Sequence, residues 1–278
     1  MTRTMRARMA EETVAICDAG YYVAPSGARV AIREQLEKAK TATVLYSPET
    51  VPTEKAAAAN SNTRFEVRNE TTFSALARMS ATGNGHLACL NFASAKNPGG
   101  GFLNGSQAQE EALARASGLY PCLLTGREYY ERNRANRSAL YLDLAIFSPQ
   151  VPFFRNDSGV LLEKPVLASV ITAPAPNAGA VEQNEPKNLA EVEPALKRRT
   201  NLVLGIARAH EVKRLVLGAW GCGVFRNDPA VVAKTFAEFL KPPGRFAGVF
   251  AEVVFAVYDR SETPATYNAF AQEFNRKS

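Results

Sequence analysis

The chain has 278 residues and a formal charge of +6, with 46% apolar and 22% charged residues, 18 glycines and 16 prolines. That balance excludes a mainly disordered or fibrous chain, and no apolar run approaches the length of a transmembrane helix. The length suits one large α/β-sized domain with extensions, and the basic charge favours an acidic partner or substrate, nucleic acid or another polyphosphate.

Taken in chain order, the first 18 residues read as a helix. Arg3, Arg6 and Arg8 have no apolar core behind them, so this is not a secretory signal and a cytoplasmic location is expected. Gly20 to Arg33 reads as two short strands around Ser26-Gly27, followed by a helix over Ile32–Ala42. Short strands are then expected at Ala42–Tyr46, Arg64–Asn69 and His86–Phe92, with a helix over Thr71–Ser80. Ser106–Arg115 reads as a helix continued by Leu119–Arg132, and Tyr141–Val151 and Pro165–Thr172 as strands. The proline-, glutamate- and asparagine-rich stretch from Asn177 to Pro194 reads as a long surface loop overlapping the start of a helix over Leu189–His210. Strands at Arg214–Leu217 and Gly248–Tyr258 and helices at Pro229–Leu240 and Thr263–Phe274 complete the pattern. This alternation implies an α/β fold: a mixed, largely parallel sheet with helices on both faces, preceded by a helical and hairpin extension over residues 1–60 packed on a core of residues 61–278.

Cys17, Cys89, Cys122 and Cys222 show no CxxC pairing and read as buried reduced thiols. His86 stands at a strand entrance and His210 near a helix end, where an imidazole caps the dipole. With two histidines only, neither a metal site nor a Ser-His-Asp triad is expected, and no cofactor is implied.

Two glycine-rich loops each follow a predicted strand and precede a helix: Asn91 to Gly105, containing Gly99-Gly100-Gly101, and Gly218 to Asp228, containing Gly221 and Gly223. Such loops let a backbone approach a ligand and turn helix N-termini towards anions, and two of them suit a diphosphate. The standard nucleotide motifs fail. Gly100 and Gly105 have P-loop spacing, but Ser106-Gln107 stands where Lys-Ser/Thr is required, and Arg226 replaces the third glycine of a dinucleotide fingerprint. Glu110-Glu111 follows the first loop. Ser106-x-x-Gln109 reads locally as a capping box with acids in the first helical turn. A carboxylate one turn from a phosphate-and-sugar loop is equally placed for acid/base work. Adjacent helical residues point about 100° apart, so the pair cannot flank one glycosidic bond, and one should act while the other positions.

Gly99-Gly100-Gly101, seven residues, then Gln109-Glu110-Glu111 resembles the signature of the poly(ADP-ribose) glycohydrolases. Leu90 to Ser94, Ser148 to Pro152, Thr172 to Asn177 and Gly218 to Pro229 are similar to the shorter bacterial type, so that the likeness runs from about Val67 to Tyr258. The resemblance implies a macrodomain-like fold and a glycoside hydrolase that releases ADP-ribose, mainly from the chain end, without metal or cofactor. It further implies that Glu111 is the acid/base and Glu110 holds the ribose. Asn97 and Gly99 to Gly101 would receive the distal ribose, with Gln109 beside them. Gly221, Gly223 and Val224 would offer N–H groups to the diphosphate, Phe225 would pack on the distal ribose, and Tyr258 would stack on adenine, with Thr72 and the Glu70 region near its amine. The implied partners are poly(ADP-ribose), ADP-ribose and poly(ADP-ribosyl)ated proteins. A non-catalytic ADP-ribose reader stays open as an alternative. A nucleic-acid-binding reading rests on Arg127, Arg132, Arg134 and Arg137, but the same stretch holds Glu128, Glu131, Tyr129 and Tyr130, which better suits a solvated helix face or a docking surface for a polyanionic polymer. Neither direct nucleic-acid binding nor membrane association is expected.

Overall fold

The computed structural model describes residues 1–52 and 62–275. The extension opens with α1 (Arg3–Ala19), which ends on the left-handed Gly20, and continues through the antiparallel hairpin β1 (Tyr21–Val23) and β2 (Arg29–Ala31) into α2 (Arg33–Thr41). The main sheet uses β3 (Val44–Tyr46), β4 (Arg64–Arg68), β5 (Leu87–Phe92), β6 (Ala145–Arg155), β7 (Leu161–Ala173), β8 (Arg214–Leu217) and β9 (Glu252–Ala256). Its order is β3-β6-β7-β5-β8-β9-β4, and every pairing from β7 through β4 is parallel, while β3 and β6 run antiparallel to their neighbours. The fold is thus the mixed, largely parallel α/β sheet expected from the sequence. The boundary anticipated at residues 60/61 lies outside the described residues.

Alternation along the buried strands builds two cores, one on each face of the sheet. Ala88, Leu90, Leu215, Leu217, Val253 and Phe255 join one core with α8 (Val192–Ala209), α9 (Pro229–Leu240) and α10 (Ala265–Phe274). Leu87, Cys89, Val216, Val254 and Ala256 join the other with residues of α1, α2, α3 (Thr72–Thr82), α4 (Gln109–Ala116), α5 (Leu119–Thr125) and α6 (Arg127–Ala135). Among the described residues no helix is long and apolar enough to cross a membrane.

Several boundaries differ from the sequence reading. The capping box does not form: α4 starts at Gln109, and the preceding Ala108 supplies no side-chain cap. Ser106 instead bonds its N–H to the Gly101 carbonyl, and Gln109 reaches across to β5, so tertiary bonds displace the local motif. The long helix expected to follow breaks at Ser117-Gly118 and Gly126, where a Cβ would collide with Leu36 and Ile146 respectively. The stretch from Asn177 is no open loop: Asn177 caps α7 (Ala178–Asn184), and a 3-10 turn at Pro186–Glu191 leads into α8. The strand placed at Tyr141–Val151 runs instead over Ala145–Arg155, and the last strand is confined to Glu252–Ala256.

One buried cation ties the connections together. Arg199 on α8 donates to Asp143 at 3.0 Å, to the Pro174 carbonyl at 2.7 Å and to the Leu140 carbonyl. It is wholly buried, so its loss would strand several acceptors. Arg199→Met is expected to cost about 3–5 kcal/mol of unfolding free energy in urea titration. A cost below about 1 kcal/mol would mean that these acceptors find other donors.

Candidate active site

Gln109, Glu110 and Glu111 occupy the first turn of α4, beside the C-terminal end of β5. The Gln109 side chain is a clip. Its Oε1 accepts from the Phe92 N–H at 2.9 Å, and its Nε2 donates to the Leu90 carbonyl at 2.8 Å and to Thr72 Oγ1 at 3.1 Å. The start of α4 is thereby locked to the strand and to the start of α3.

Glu110 points inward and is 2% exposed. Its Oε2 accepts from the Ser94 N–H at 2.7 Å and its Oε1 from Asn91 Nδ2 at 3.3 Å. Burial, reinforced by the neighbouring Glu111, pushes its pKa from an ordinary 4.5 to about 8, while the Ser94 and Asn91 donors pull the other way. Glu111 is only half-buried, and its Oε1 accepts from the Gly101 N–H at 3.0 Å. The glycines between them are sterically required. Gly100 has φ +60°, and a Cβ there would collide with the Glu111 carboxylate; a Cβ on Gly101 would collide with Ser106 Oγ. Asn97 is exposed at the rim, its carbonyl accepting from the Gly100 N–H at 3.0 Å.

The second loop follows β8. Trp220 is wholly buried and donates to the Ala173 carbonyl at 3.1 Å, and Asn227 Nδ2 donates to the Pro176 carbonyl at 2.8 Å. These anchors hold the loop ends and leave its tip free. Gly221 adopts φ +74°, where a Cβ would meet Asn227 and Ala175, while a Cβ on Gly223 would meet open space. Val224 is 86% exposed, and Phe225 is half-buried with its ring 6.0 Å from that of Tyr141. Among the described residues, the N–H groups of Gly221, Gly223, Val224 and Phe225 have no hydrogen-bond partner. A run of unpaired N–H groups on a pinned loop is an anion cradle.

A cavity of about 750 Å³ brings Thr72, Gln109, Gly223 and Tyr258 together, with Glu70, Phe92, Cys222, Arg260 and Thr266 also in its walls. Tyr258 is 51% exposed, with the Arg260 guanidinium 4.8 Å from its ring centre. Glu70 is already engaged by Arg78 at 2.6 Å. Glu110, Glu111, Gly99 to Gly101, Asn97, Val224 and Phe225 are not in the walls of that cavity. The acid pair and the Tyr258 end are linked through Gln109 instead.

The histidines belong to neither loop. His86 Nδ1 donates to the His210 carbonyl at 2.8 Å, and Ser169 Oγ lies 2.7 Å from its Nε2. His210 is the C-cap residue of α8, as expected; its ring stacks on Phe147 and lies 2.9 Å from the Tyr46 hydroxyl, and burial holds its pKa below the usual value. Cys17, Cys89 and Cys122 are buried and Cys222 half-buried, all as free thiols. Sequence reasoning gave no role to Asn91 or Ser94 as donors to Glu110. The available signal was an asparagine within an otherwise apolar strand.

Residues 10–156 match the family model described as microbial-type PARG, catalytic domain. The chain belongs to this family. It is also 46% identical to a poly(ADP-ribose) glycohydrolase from Thermomonospora curvata, with a TM-score of 0.93 over 98% of this chain and 100% of that one. The same enzyme bound to the inhibitor ADP-HPD matches with 47% identity and a TM-score of 0.90, over the same shares of both chains. A poly(ADP-ribose) glycohydrolase from Deinococcus radiodurans in complex with ADP-ribose matches at 48% identity and a TM-score of 0.80, over 86% of this chain and 96% of that one. No curated protein matches. The triple glycine and the Gln109-Glu110-Glu111 run lie within the matched residues.

The buried carboxyl of this PARG domain carries a stability signature. Glu110 has a folded-state pKa above its unfolded value, so the native state binds the extra proton between about 4.5 and 8. Its contribution is full below the lower value and is lost as pH rises through the upper one. Unfolding free energy is expected to fall from about pH 5 to about pH 8 by on the order of a few kcal/mol, and Glu110→Gln should flatten that slope. An unchanged slope in Glu110→Gln would assign it to another group.

Proposed function

We propose that this PARG cleaves the ribose–ribose O-glycosidic bonds of poly(ADP-ribose) with Glu111 as acid/base and Glu110 as the residue that fixes the ribose. The observation that carries the assignment is the unequal setting of the two acids. Glu110 is buried and pinned by donors that include the Ser94 N–H and the Asn91 amide, whereas Glu111 is half-buried and, among the described residues, held by the Gly101 N–H. A proton carrier needs access to the bond, and a positioning group needs rigidity. Glu111 gives a proton to the departing ribose oxygen as the bond to the anomeric carbon breaks. The resulting carboxylate takes a proton from water, whose hydroxyl closes on the oxocarbenium-like centre. One water is consumed, and Glu111 ends as it began.

The ligand is placed by dipoles. The unpaired N–H groups at Gly221, Gly223 and Val224 would take the diphosphate, Phe225 would pack on the distal ribose over Asn97 and Gly99 to Gly101, and Tyr258 would stack on adenine near Thr72. Poly(ADP-ribosyl)ated proteins are the corresponding macromolecular partners. Glu111→Gln is expected to remove hydrolysis while keeping ADP-ribose affinity, read by product release from labelled polymer and by calorimetry, and Glu110→Gln should be nearly as severe. Retention of more than a few per cent of activity in Glu111→Gln would move the acid/base elsewhere. Wild-type protein that binds ADP-ribose but releases none from polymer would be a reader.

The enzyme should act mainly from the chain end. Beyond Tyr258, Asp259 accepts from the Thr266 N–H at 3.1 Å and exchanges bonds with Asn69, at 2.7 Å through its carbonyl and 3.1 Å through its N–H. Phe270 and Phe274 of α10 pack on Phe255. The segment next to the adenosine ribose is thus fastened, which supports exclusion of a chain that continues from its 2′-hydroxyl. Time-resolved gels of size-selected polymer should show ADP-ribose from the first points, with mono-modified protein left intact. Early free oligomers without monomer would overturn the chain-end reading, and loss of mono-modified protein would overturn the second half.

A further inference from the structure

We propose that Arg3 and Arg6 of the N-terminal helix are positioning residues for Glu111, acting through the loop that carries its hydrogen-bond donor. The inference rests on the reading of Glu111 as acid/base. Residues 101–108 join Gly101, whose N–H holds Glu111, to Gln109, where the helix bearing Glu111 begins. The loop's shape therefore sets where the donor stands relative to the carboxylate.

Three consecutive carbonyls of this loop are each taken by a different arginine. Arg3 Nε donates to the Asn104 carbonyl at 2.9 Å, Arg6 Nε to the Gly105 carbonyl at 2.8 Å, and Arg115 Nη1 to the Ser106 carbonyl at 2.7 Å. Gly105 closes the 3-10 turn Phe102–Asn104 at φ +73°, and its Cα lies so near the Arg3 carbonyl that any Cβ would strike it. Phe102 is wholly buried with Ala10 of α1 and Ala114 of α4, its ring 4.8 Å from that of Tyr120. Thr13 of α1 adds a bond to the Arg115 carbonyl at 2.7 Å. The helix grips the loop from one side and α4 from the other. Arg6 and Arg115 repel, and burial with Arg6 lowers the Arg115 pKa to about 10, so the carbonyl dipoles must offset this crowding. Ion pairs do not explain the placement, since Arg3 and Arg6 spend their Nε groups on main-chain oxygens. Both arginines precede residue 10, where the match to the family model begins.

The test uses the full chain with Arg3→Met/Arg6→Met and, separately, Arg6→Lys. The double variant should lower kcat on poly(ADP-ribose) by about ten- to a hundredfold, because small misplacements of a catalytic group carry penalties of that order. Its ADP-ribose Kd should rise by much less than kcat falls, because Gly223 and Tyr258 keep their places although Arg6 lines the same cavity, and its melting temperature should stay within a few degrees. Arg6→Lys, which keeps a donor, should recover a large part of the rate. Amide exchange should accelerate at residues 99–105 in the double variant and not at residues 218–228. A double variant with unchanged kcat and unchanged exchange would overturn the proposal, as would parallel loss of affinity, rate and melting temperature. A wild-type protein inactive on polymer would sink the proposed function instead, and the exchange pattern would still decide whether α1 holds the loop.

Discussion

Taking the Glu110 carboxyl out of water is the constraint on which the catalytic end of the sheet depends. A carboxylate transferred to an apolar interior must be paired, hydrogen-bonded or neutralised. Here it faces the Ser94 and Gly99 N–H groups and the Asn91 amide, with no paired cation among the described residues, and burial outweighs these donors, so its pKa rises. For Ser94 to reach it the chain must turn immediately after β5, and for Glu111 to lie alongside, the returning loop must pass with no side chains at positions 100 and 101. Once Glu110 is fixed, its helical neighbour is turned about 100° away and stays half-buried. The difference between the two acids is a consequence of anchoring one of them.

The sheet order explains the layout of the remaining site. β5, β8 and β9 are adjacent and parallel, so their C-terminal ends open on the same edge. β5 delivers the triple-glycine loop and the acid pair, β8 the loop with unpaired N–H groups, and β9 Tyr258, two residues past its end. Acid pair, loop of unpaired N–H groups and aromatic ring therefore follow one another along that edge, the arrangement on which the proposed placement of ADP-ribose rests. Gln109 spans the back of this row, bonded to Thr72 on one side and to β5 on the other.

The strands and helices were legible wherever burial is periodic: Arg214–Leu217 and Pro229–Leu240 coincide with the observed β8 and α9. The site's loops were legible because glycine density has few other uses at strand ends, and the resemblance supplied the family. What the sequence hid are interactions between distant segments. Ser106 and Gln109 have the spacing of a capping box, yet each bonds elsewhere, because β5 and the Gly101 carbonyl offer partners that the local motif cannot anticipate. The Asn177 stretch read as a loop because its prolines and polar residues hide a capped helical turn. The support from Asn91 and Arg199 is invisible in a linear pattern, since each works through contacts with other elements of the fold.

Unpaired N–H groups and cations differ as neighbours of a buried acid. An arginine or lysine placed at the acid pair would attract a diphosphate, but it would equally stabilise the ionised form of Glu110 and pull its pKa down. Unpaired N–H groups avoid that conflict. They carry only partial charge, their field falls off over a short distance, and Trp220 and Asn227 fix the ends of the loop that carries them. The nearby arginines obey the same restriction: Arg3, Arg6 and Arg115 face main-chain carbonyls of the loop, and Arg134 faces the Lys96 carbonyl at 2.7 Å. Elsewhere the chain pairs its cations with acids directly, as Arg78 with Glu70 and Arg199 with Asp143, but these four arginines bond to main-chain oxygens beside the acid pair. They contact the loop backbone and leave the Glu110 carboxyl, whose proton affinity is raised by burial, without a paired cation among the described residues.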